Sequence, residues 1–291
     1  FDESCSPGVL LETEYTAMEL TDLTGDGARD LLLMTTDPDG RRVARLYQYQ
    51  NDMLLQAGEV STSPETASVE RMRSGRVQPS QPAVFAEERM ASGVGLTTDI
   101  FVYHEGTLMN LALDGEDSIT RSTYRPISVY ASDINADGVT ELPRAVLMAG
   151  YDDAAASDAI FMLDWYVYSP DRPPVAVATT YDNISDGWRL SIDPAWHDRI
   201  TAVKTTENNL SKVEFYEYLG SGNQRPLFSI YMATGATREY YAGRSDLIQL
   251  GESSQAVYFA KLAADTQGDT LQIESEDIKS RFSLVTQDWS D

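Results

Sequence analysis

Apolar and polar residues alternate along most of the chain, in short runs bounded by Gly, Asp, Pro and Ser. Alternation places successive side chains on opposite faces of an extended backbone, so the pattern predicts β-strands rather than helices. Three segments, 46–49, 100–103 and 165–168, put aromatic residues two positions apart and therefore on one face of a strand. The first part of the chain is predicted to be mainly β.

These aromatic strands belong to a larger repeat. A further apolar run precedes each one, and another follows after a turn. Tyr49 and Tyr103 are 54 residues apart, and Tyr103 and Tyr168 are 65 apart. A unit of three or four strands that recurs at about 50 to 65 residues is typical of a β-propeller blade. Three copies predict an incomplete, propeller-like array of repeats.

A change in composition predicts a domain boundary. All four lysines follow residue 200, and turn residues cluster at 181–187. We therefore expect a β-repeat domain over residues 1–185 and a smaller α+β domain over 186–291. Segment 215–218, within a strand predicted at 213–218, either begins the second domain, which we favour, or is a fourth copy of the repeat. Further strands are predicted at 227–232, 247–250 and 256–260.

The end of the chain predicts a helix. Ser275 is a suitable N-cap, and two acidic residues follow it in the first turn. Apolar residues then recur at spacings of four, three and four: Ile278, Phe282, Val285 and Trp289.

Two loops repeat one pattern of oxygen-bearing side chains. Residues 22–30 and 133–141 place them at loop positions 1, 3, 5 and 9, with glycine at position 6. Calcium binds about six to eight oxygens, and a tight loop delivers alternate side chains together with the backbone carbonyl of position 7. The candidate calcium ligands are Asp22, Thr24, Asp26, Ala28 and Asp30 in the first loop, and Asp133, Asn135, Asp137, Val139 and Glu141 in the second.

The loops resemble the first nine positions of an EF-hand and then depart from it. Position 12 is Leu33 in one and Arg144 in the other, where an EF-hand has a bidentate glutamate. The first loop also runs directly into the predicted strand 31–34. The pattern D-x-[TN]-x-D-G-x-x-[DE] before a strand resembles the FG-GAP or VCBS repeats of extracellular β-propellers. In the repeat between the two loops, segment 69–76 has arginines where carboxylates belong, so we expect no calcium there.

The order of the remaining segments is similar to that of FG-GAP/VCBS-type surface lipoproteins of Gram-positive gut bacteria, a family without an established activity. The resemblance implies structural calcium and an extracellular location. It also implies anchoring to the cell surface through a segment upstream of Phe1.

Composition excludes several classes of partner. The 291 residues include 46 acidic and 22 basic side chains, a net charge of −24, which disfavours nucleic acid and anionic membranes. A single cysteine excludes an internal disulfide framework and a cysteine-built zinc site, and two distant histidines disfavour a histidine metal cluster. The sequence contains no apolar run of about 18 residues, so no membrane-spanning segment is predicted.

Two classes of function fit this sequence. The first is a non-catalytic cell-surface binding or adhesion protein for an unidentified protein or glycan. The alternative is a secreted carbohydrate-active hydrolase or lyase on the same calcium-stabilised scaffold. His197 is a candidate general base but is more simply a surface histidine. The aromatic residues Trp165, Tyr166, Tyr168 and Tyr181 either stack on sugars or form the packed face of a blade.

Overall fold

The computed structural model describes residues 8–113, 123–154, 158–207, 210–220, 222–264, 271 and 273–285. The chain is 56% strand and 7% helix, which confirms the mainly β class. Its strands form four antiparallel sheets, and within the described ranges none of these sheets is closed.

The first two sheets are meanders in which strands adjacent in sequence are also adjacent in space. The first contains β1 (Ala17–Thr21), β2 (Asp30–Thr36), β3 (Arg42–Gln50) and β4 (Met53–Ser61). The second contains β5 (Thr66–Gln78), β6 (Gln81–Met90), β7 (Leu96–His104) and β8 (Thr107–Asn110).

The third sheet begins in the same way and gains a strand from the end of the chain. Its members are β9 (Leu142–Leu147), β10 (Phe161–Ser169), β11 (Arg172–Asn183), β12 (Trp188–Ile192) and, beside β12, β18 (Phe282–Leu284). The fourth runs in the order β13 (Ile200–Glu207), β14 (Leu210–Tyr218), β15 (Gln224–Thr234), β17 (Ala256–Leu262) and β16 (Ile248–Glu252). In the described part of the chain the α-helices are α1 (Thr237–Ala242) and α2 (Ser275–Arg281).

The chain divides into two compact units. Unit 1 comprises Phe1–Arg144 and Trp165–Val177, and unit 2 comprises Ala145–Asp164 and Ala178–Asp291. Strands β9, β10 and β11 contribute residues to both. The domain boundary predicted at residues 185 and 186 lies in the turn between β11 and β12, and it stays a prediction.

The core of unit 1 is built on both faces of the second sheet. Val84 and Ala86 of β6 pack in one apolar cluster with Leu32 and Leu46 of the first sheet. Phe85, between them in sequence, belongs to a second cluster on the opposite face. Strand β6 is therefore a central strand with apolar residues buried on both sides, unlike a strand with one solvated face.

The core of unit 2 is strongly aromatic. Tyr181 packs edge-on against Phe215, with ring centroids 5.2 Å apart, and Phe215 stacks on Phe228 at 4.7 Å. Trp188 stacks on Phe282 at 5.9 Å. Such pairs add to the free energy gained by apolar burial.

The closing helix is shorter than the sequence predicts. Helix α2 ends at Arg281, and Phe282 begins β18, which pairs with β12. Its N-cap is Glu274 rather than Ser275, in a reciprocal capping box with Asp277. Phe282 leaves the helix because its ring is held by Trp188 and Tyr258. Trp289 lies outside the described residues.

Segment 69–76, which stands in the sequence where a third copy of the calcium loop would lie, is the middle of β5. No helix in the part of the chain that the structure describes is both long and apolar enough to cross a membrane.

Candidate cation-binding loops

The two predicted loops are closed at their base by the same backbone pairing. Thr21, just before the first loop, pairs with Asp30 at position 9. Ser132 pairs in the same way with Glu141 at position 9 of the second loop. Each loop then leads directly into a strand, β2 or β9. Loops 111 residues apart in the sequence thus have equivalent ends.

The turns inside the loops also match. Position 4 has a left-handed backbone in both, with φ of 77° at Gly25 and 60° at Ala136. Position 6 is left-handed as well, with φ of 90° at Gly27 and 84° at Gly138. Glycine adopts this conformation without steric cost, whereas alanine adopts it only at a steric cost.

The carboxylate at position 1 organises the turn in each loop. Asp22 accepts hydrogen bonds from the N–H groups of Gly25 (2.7 Å) and Gly27 (3.0 Å). Asp133 accepts from Asp137 (3.1 Å) and Gly138 (2.9 Å). The N–H group of position 6 is a donor to position 1 in both loops.

Positions 5 and 7 form a second shared contact. Asp26 accepts a hydrogen bond from the Ala28 N–H at 2.8 Å, and Asp137 accepts from the Val139 N–H at the same distance. This contact fixes the peptide that immediately precedes the predicted backbone ligand, the carbonyl of position 7. Asp26 and Asp137 are exposed.

The acid at position 9 is buried in both loops. Asp30 Oδ2 accepts from the N–H groups of Leu23 (2.9 Å) and Thr24 (2.8 Å). Glu141 Oε2 accepts from Ile134 N–H at 3.0 Å. Burial raises the pKa of the Glu141 carboxyl, the Ile134 N–H lowers it, and the nearby charges of two loop carboxylates raise it further.

Two oxygens of each loop lie near one amide N–H donor, which is Gln48 on β3 for the first loop and Asn135 for the second. Gln48 Nε2 lies 3.4 Å from both Thr24 Oγ1 and Asp26 Oδ2. Asn135 Nδ2 lies 3.0 Å from Asp137 Oδ2 and 3.3 Å from Glu141 Oε1. An all-oxygen set around a positively polarised N–H group fits a hard cation such as calcium.

The structure does not bring all predicted ligands of one loop to a single point. Among the described residues, no group of three or more His, Cys, Asp and Glu side chains is placed to hold a metal ion. The carboxylates face N–H groups of their own loops instead. Ligation by the full predicted set would require carboxylates to exchange these donors for the ion, so calcium stays a prediction here.

The second loop is also fixed by contacts that the sequence did not predict. Glu87 Oε1 accepts from Ala131 N–H at 2.7 Å, and Arg71 Nη2 donates to the Ala131 carbonyl at 3.1 Å. Thr140 N–H donates to the Arg76 carbonyl on β5 at 2.8 Å. These contacts attach both ends of the loop to the second sheet.

Glu87 itself belongs to a buried ion pair with Arg125, and both side chains are almost fully buried. Arg125 Nη1 also donates to Thr98 Oγ1 at 2.9 Å and to the Thr123 carbonyl at 3.1 Å. Each charge therefore has hydrogen-bond partners, as a buried ion pair needs.

The two histidines are both partnered by carboxylates. His197 Nε2 lies 3.2 Å from Asp164 Oδ2, and Nδ1 lies 3.4 Å from Asp198 Oδ1. Burial opposes the charged ring, but the two carboxylates outweigh it and raise the pKa of His197. His104 lies 3.1 Å from Asp171. Carboxylates beside both ring nitrogens favour the charged imidazolium of His197 over a neutral ring that could act as a general base.

The aromatic residues proposed to stack on sugars are mostly internal. Trp165, Tyr168 and Tyr181 are buried. Tyr166 is half-buried with the Arg144 guanidinium 4.3 Å above its ring. The interpretation as a packed face describes these residues better than a glycan platform.

Compared with known proteins, the chain matches no protein-family model, and no curated protein sequence matches it at a significant level.

Proposed function

We propose that this protein is a non-catalytic extracellular binding or adhesion protein of the FG-GAP/VCBS type, with structural calcium in its two equivalent loops. The observation that carries the proposal is the shared geometry of loops 22–30 and 133–141. They have the same base pairing, the same left-handed positions and the same contact between positions 5 and 7. The same geometry in two loops indicates that both have the same role.

The proposal includes a propeller-like arrangement of the β repeats, followed by a smaller α+β domain. Antiparallel meanders in sequence order are what propeller blades consist of, and the first two sheets have this form. The burial of both faces of the second sheet also supports the proposal, because stacked blades cover one another.

Calcium would act on stability. A chain with a net charge of −24 repels itself, and cations in the exposed loops reduce that repulsion. With a dissociation constant of about 0.1 mM, about 1 mM calcium adds about 1.4 kcal/mol per site. Sites of this affinity fill outside the cell, where calcium is abundant. This supports a location on the cell surface, where the protein would bind a protein or glycan ligand.

Calorimetry with the chelated protein tests the proposal. We expect two sites, of which Asp26→Ala removes one and Asp137→Ala the other. Asp39→Ala removes an exposed carboxylate outside both loops and should leave both sites intact. Absence of both a binding heat and a calcium-dependent rise in melting temperature would overturn it.

A further inference from the structure

Two carboxyl groups are buried together on one face of the second sheet, away from the calcium loops. Glu88 on β6 pairs in register with Thr97, and Asp99 lies two residues further along β7. Residues two apart on a strand share a face, so both acids point to the same side. Each is fully buried. Burial raises the pKa of the Glu88 carboxyl, and the charge of the neighbouring Asp99 and a hydrogen bond with its side chain raise that pKa further.

Three of the four carboxyl oxygens accept hydrogen bonds. Asp99 Oδ1 accepts from Ser63 Oγ at 2.6 Å, and Oδ2 accepts from Ser63 N–H at 2.8 Å. Glu88 Oε2 accepts from Thr66 Oγ1 at 2.6 Å and lies 2.7 Å from Arg42 Nη2. The fourth oxygen, Glu88 Oε1, is buried and receives a hydrogen bond from no group in the described part of the chain.

The charges around this pair do not balance. Strand β3 contributes the cation Arg42, β7 contributes Asp99, and β5 and the β4–β5 connection contribute the hydroxyls of Thr66 and Ser63. Two ionised carboxylates beside one guanidinium leave a net negative charge buried away from water, which is unfavourable unless a further partner compensates it. A single proton bound by the pair removes that net charge. The oxygen that carries it no longer needs a donor, because it becomes a donor itself.

We propose that Glu88 carries a proton on Oε1 at neutral pH and donates it to Asp99. The pair is then a proton-binding site that couples the stability of this region to pH. The site is independent of calcium and of the proposed function.

The direction in which pH changes the stability follows from the raised pKa of Glu88. Burial and the adjacent Asp99 raise the pKa of Glu88 from 4.5 to about 8. Between these values the unfolded chain releases the proton and the folded chain keeps it. The contribution of Glu88 to stability is therefore complete below about pH 4.5 and is lost as the pH rises towards about 8. The unfolding equilibrium constant rises by up to about tenfold per pH unit across this window.

The substitution Glu88→Gln tests the proposal, because the amide is a permanent donor of the same shape. We expect the ratio of the wild-type to the variant unfolding constant to rise by up to about tenfold per pH unit between pH 5 and 8. The control Glu59→Gln removes a partly exposed acid paired with Arg45 and should show no such difference. An equal pH slope in wild type and Glu88→Gln would overturn the proposal.

A second measurement does not depend on the variant folding. The ¹³C chemical shift of the Glu88 carboxyl, followed by NMR in the wild-type protein, should titrate near pH 8 rather than near 4.5. In Asp99→Asn the midpoint should fall, since the like charge is gone. A wild-type midpoint near 4.5 would show that Glu88 is ionised at neutral pH and that the proposal is wrong.

Discussion

Ala136 has a backbone conformation that its side chain disfavours. Its φ of 60° matches that of Gly25, its counterpart in the first loop, at 77°. A left-handed backbone costs an L-residue about 1–2 kcal/mol, partly offset because glycine loses more entropy on folding. We expect Ala136→Gly to stabilise the calcium-free protein by about 0.5–1 kcal/mol in urea unfolding.

Gly25→Ala is the reciprocal control. A Cβ at Gly25 meets no atom within 4 Å, so its effect is conformational rather than steric. It should destabilise the protein by a similar amount. If both substitutions moved stability in the same direction, the equivalence of the two loops would be contradicted.

The buried pair Glu87–Arg125 gives a second prediction for single residues. Arg125→Met leaves the Glu87 charge buried without its guanidinium, and we expect a loss of about 3–5 kcal/mol in unfolding free energy. In the double variant with Glu87→Gln, the charge is removed while an acceptor for Ala131 N–H is kept. The double variant should recover part of the loss, and equal instability of single and double variants would argue against this account.

At the scale of elements, the first two sheets approach closely where β4 meets β8. A Cβ on Gly58 would lie 2.7 Å from the Leu108 Cβ, closer than such atoms pack. Gly58→Ala should cost about 1–3 kcal/mol through overpacking, measured by chemical denaturation. Gly243→Ala is the matched control, since its nearest contact would be 3.9 Å away, and it should change stability by less than about 0.5 kcal/mol. A neutral Gly58→Ala would mean that the sheets separate at little cost.

The strands were largely predictable from the sequence because alternation reports a half-buried strand directly. Strand β5 was not, for a physical reason. Its pairing with β6 shifts register between Thr66 and Ser68, between Val69 and Arg71, and between Arg76 and Gln78. Each irregularity inserts a residue and breaks the period of two, so the arginine-rich segment 69–76 did not resemble a strand.

The end of α2 was missed for a different reason. Phe282 continues the helical spacing, but tertiary contacts with Trp188 and pairing with β12 override it.

Residues that contact the loops from distant positions in the sequence could not be predicted. The candidate side chains within each loop follow from spacing alone, and their role as calcium ligands stays a prediction. Gln48 and Glu87 lie outside their loops, and only the folded chain brings them there.

At the scale of the whole molecule, the two compact units interleave in sequence, which limits where the chain can be cut. A chain that ends at residue 185 keeps Met148, Met162 and Tyr181 of the unit 2 core. It loses Trp188, Phe215 and the other residues that pack against them, and β11 loses its partner β12. Apolar side chains and a strand edge that are covered in the full chain would then face water.

We therefore expect a fragment of residues 1–185 to aggregate, or to bind a hydrophobic dye and melt without a cooperative transition. The full chain, purified in the same way, should be monodisperse in light scattering and melt cooperatively. The comparison is informative in either direction, because Met148 and Met162 are buried through contacts with the region that is removed. A soluble 1–185 fragment with a cooperative melt would show that the first 185 residues fold without the C-terminal part. It would also support the domain boundary predicted from composition.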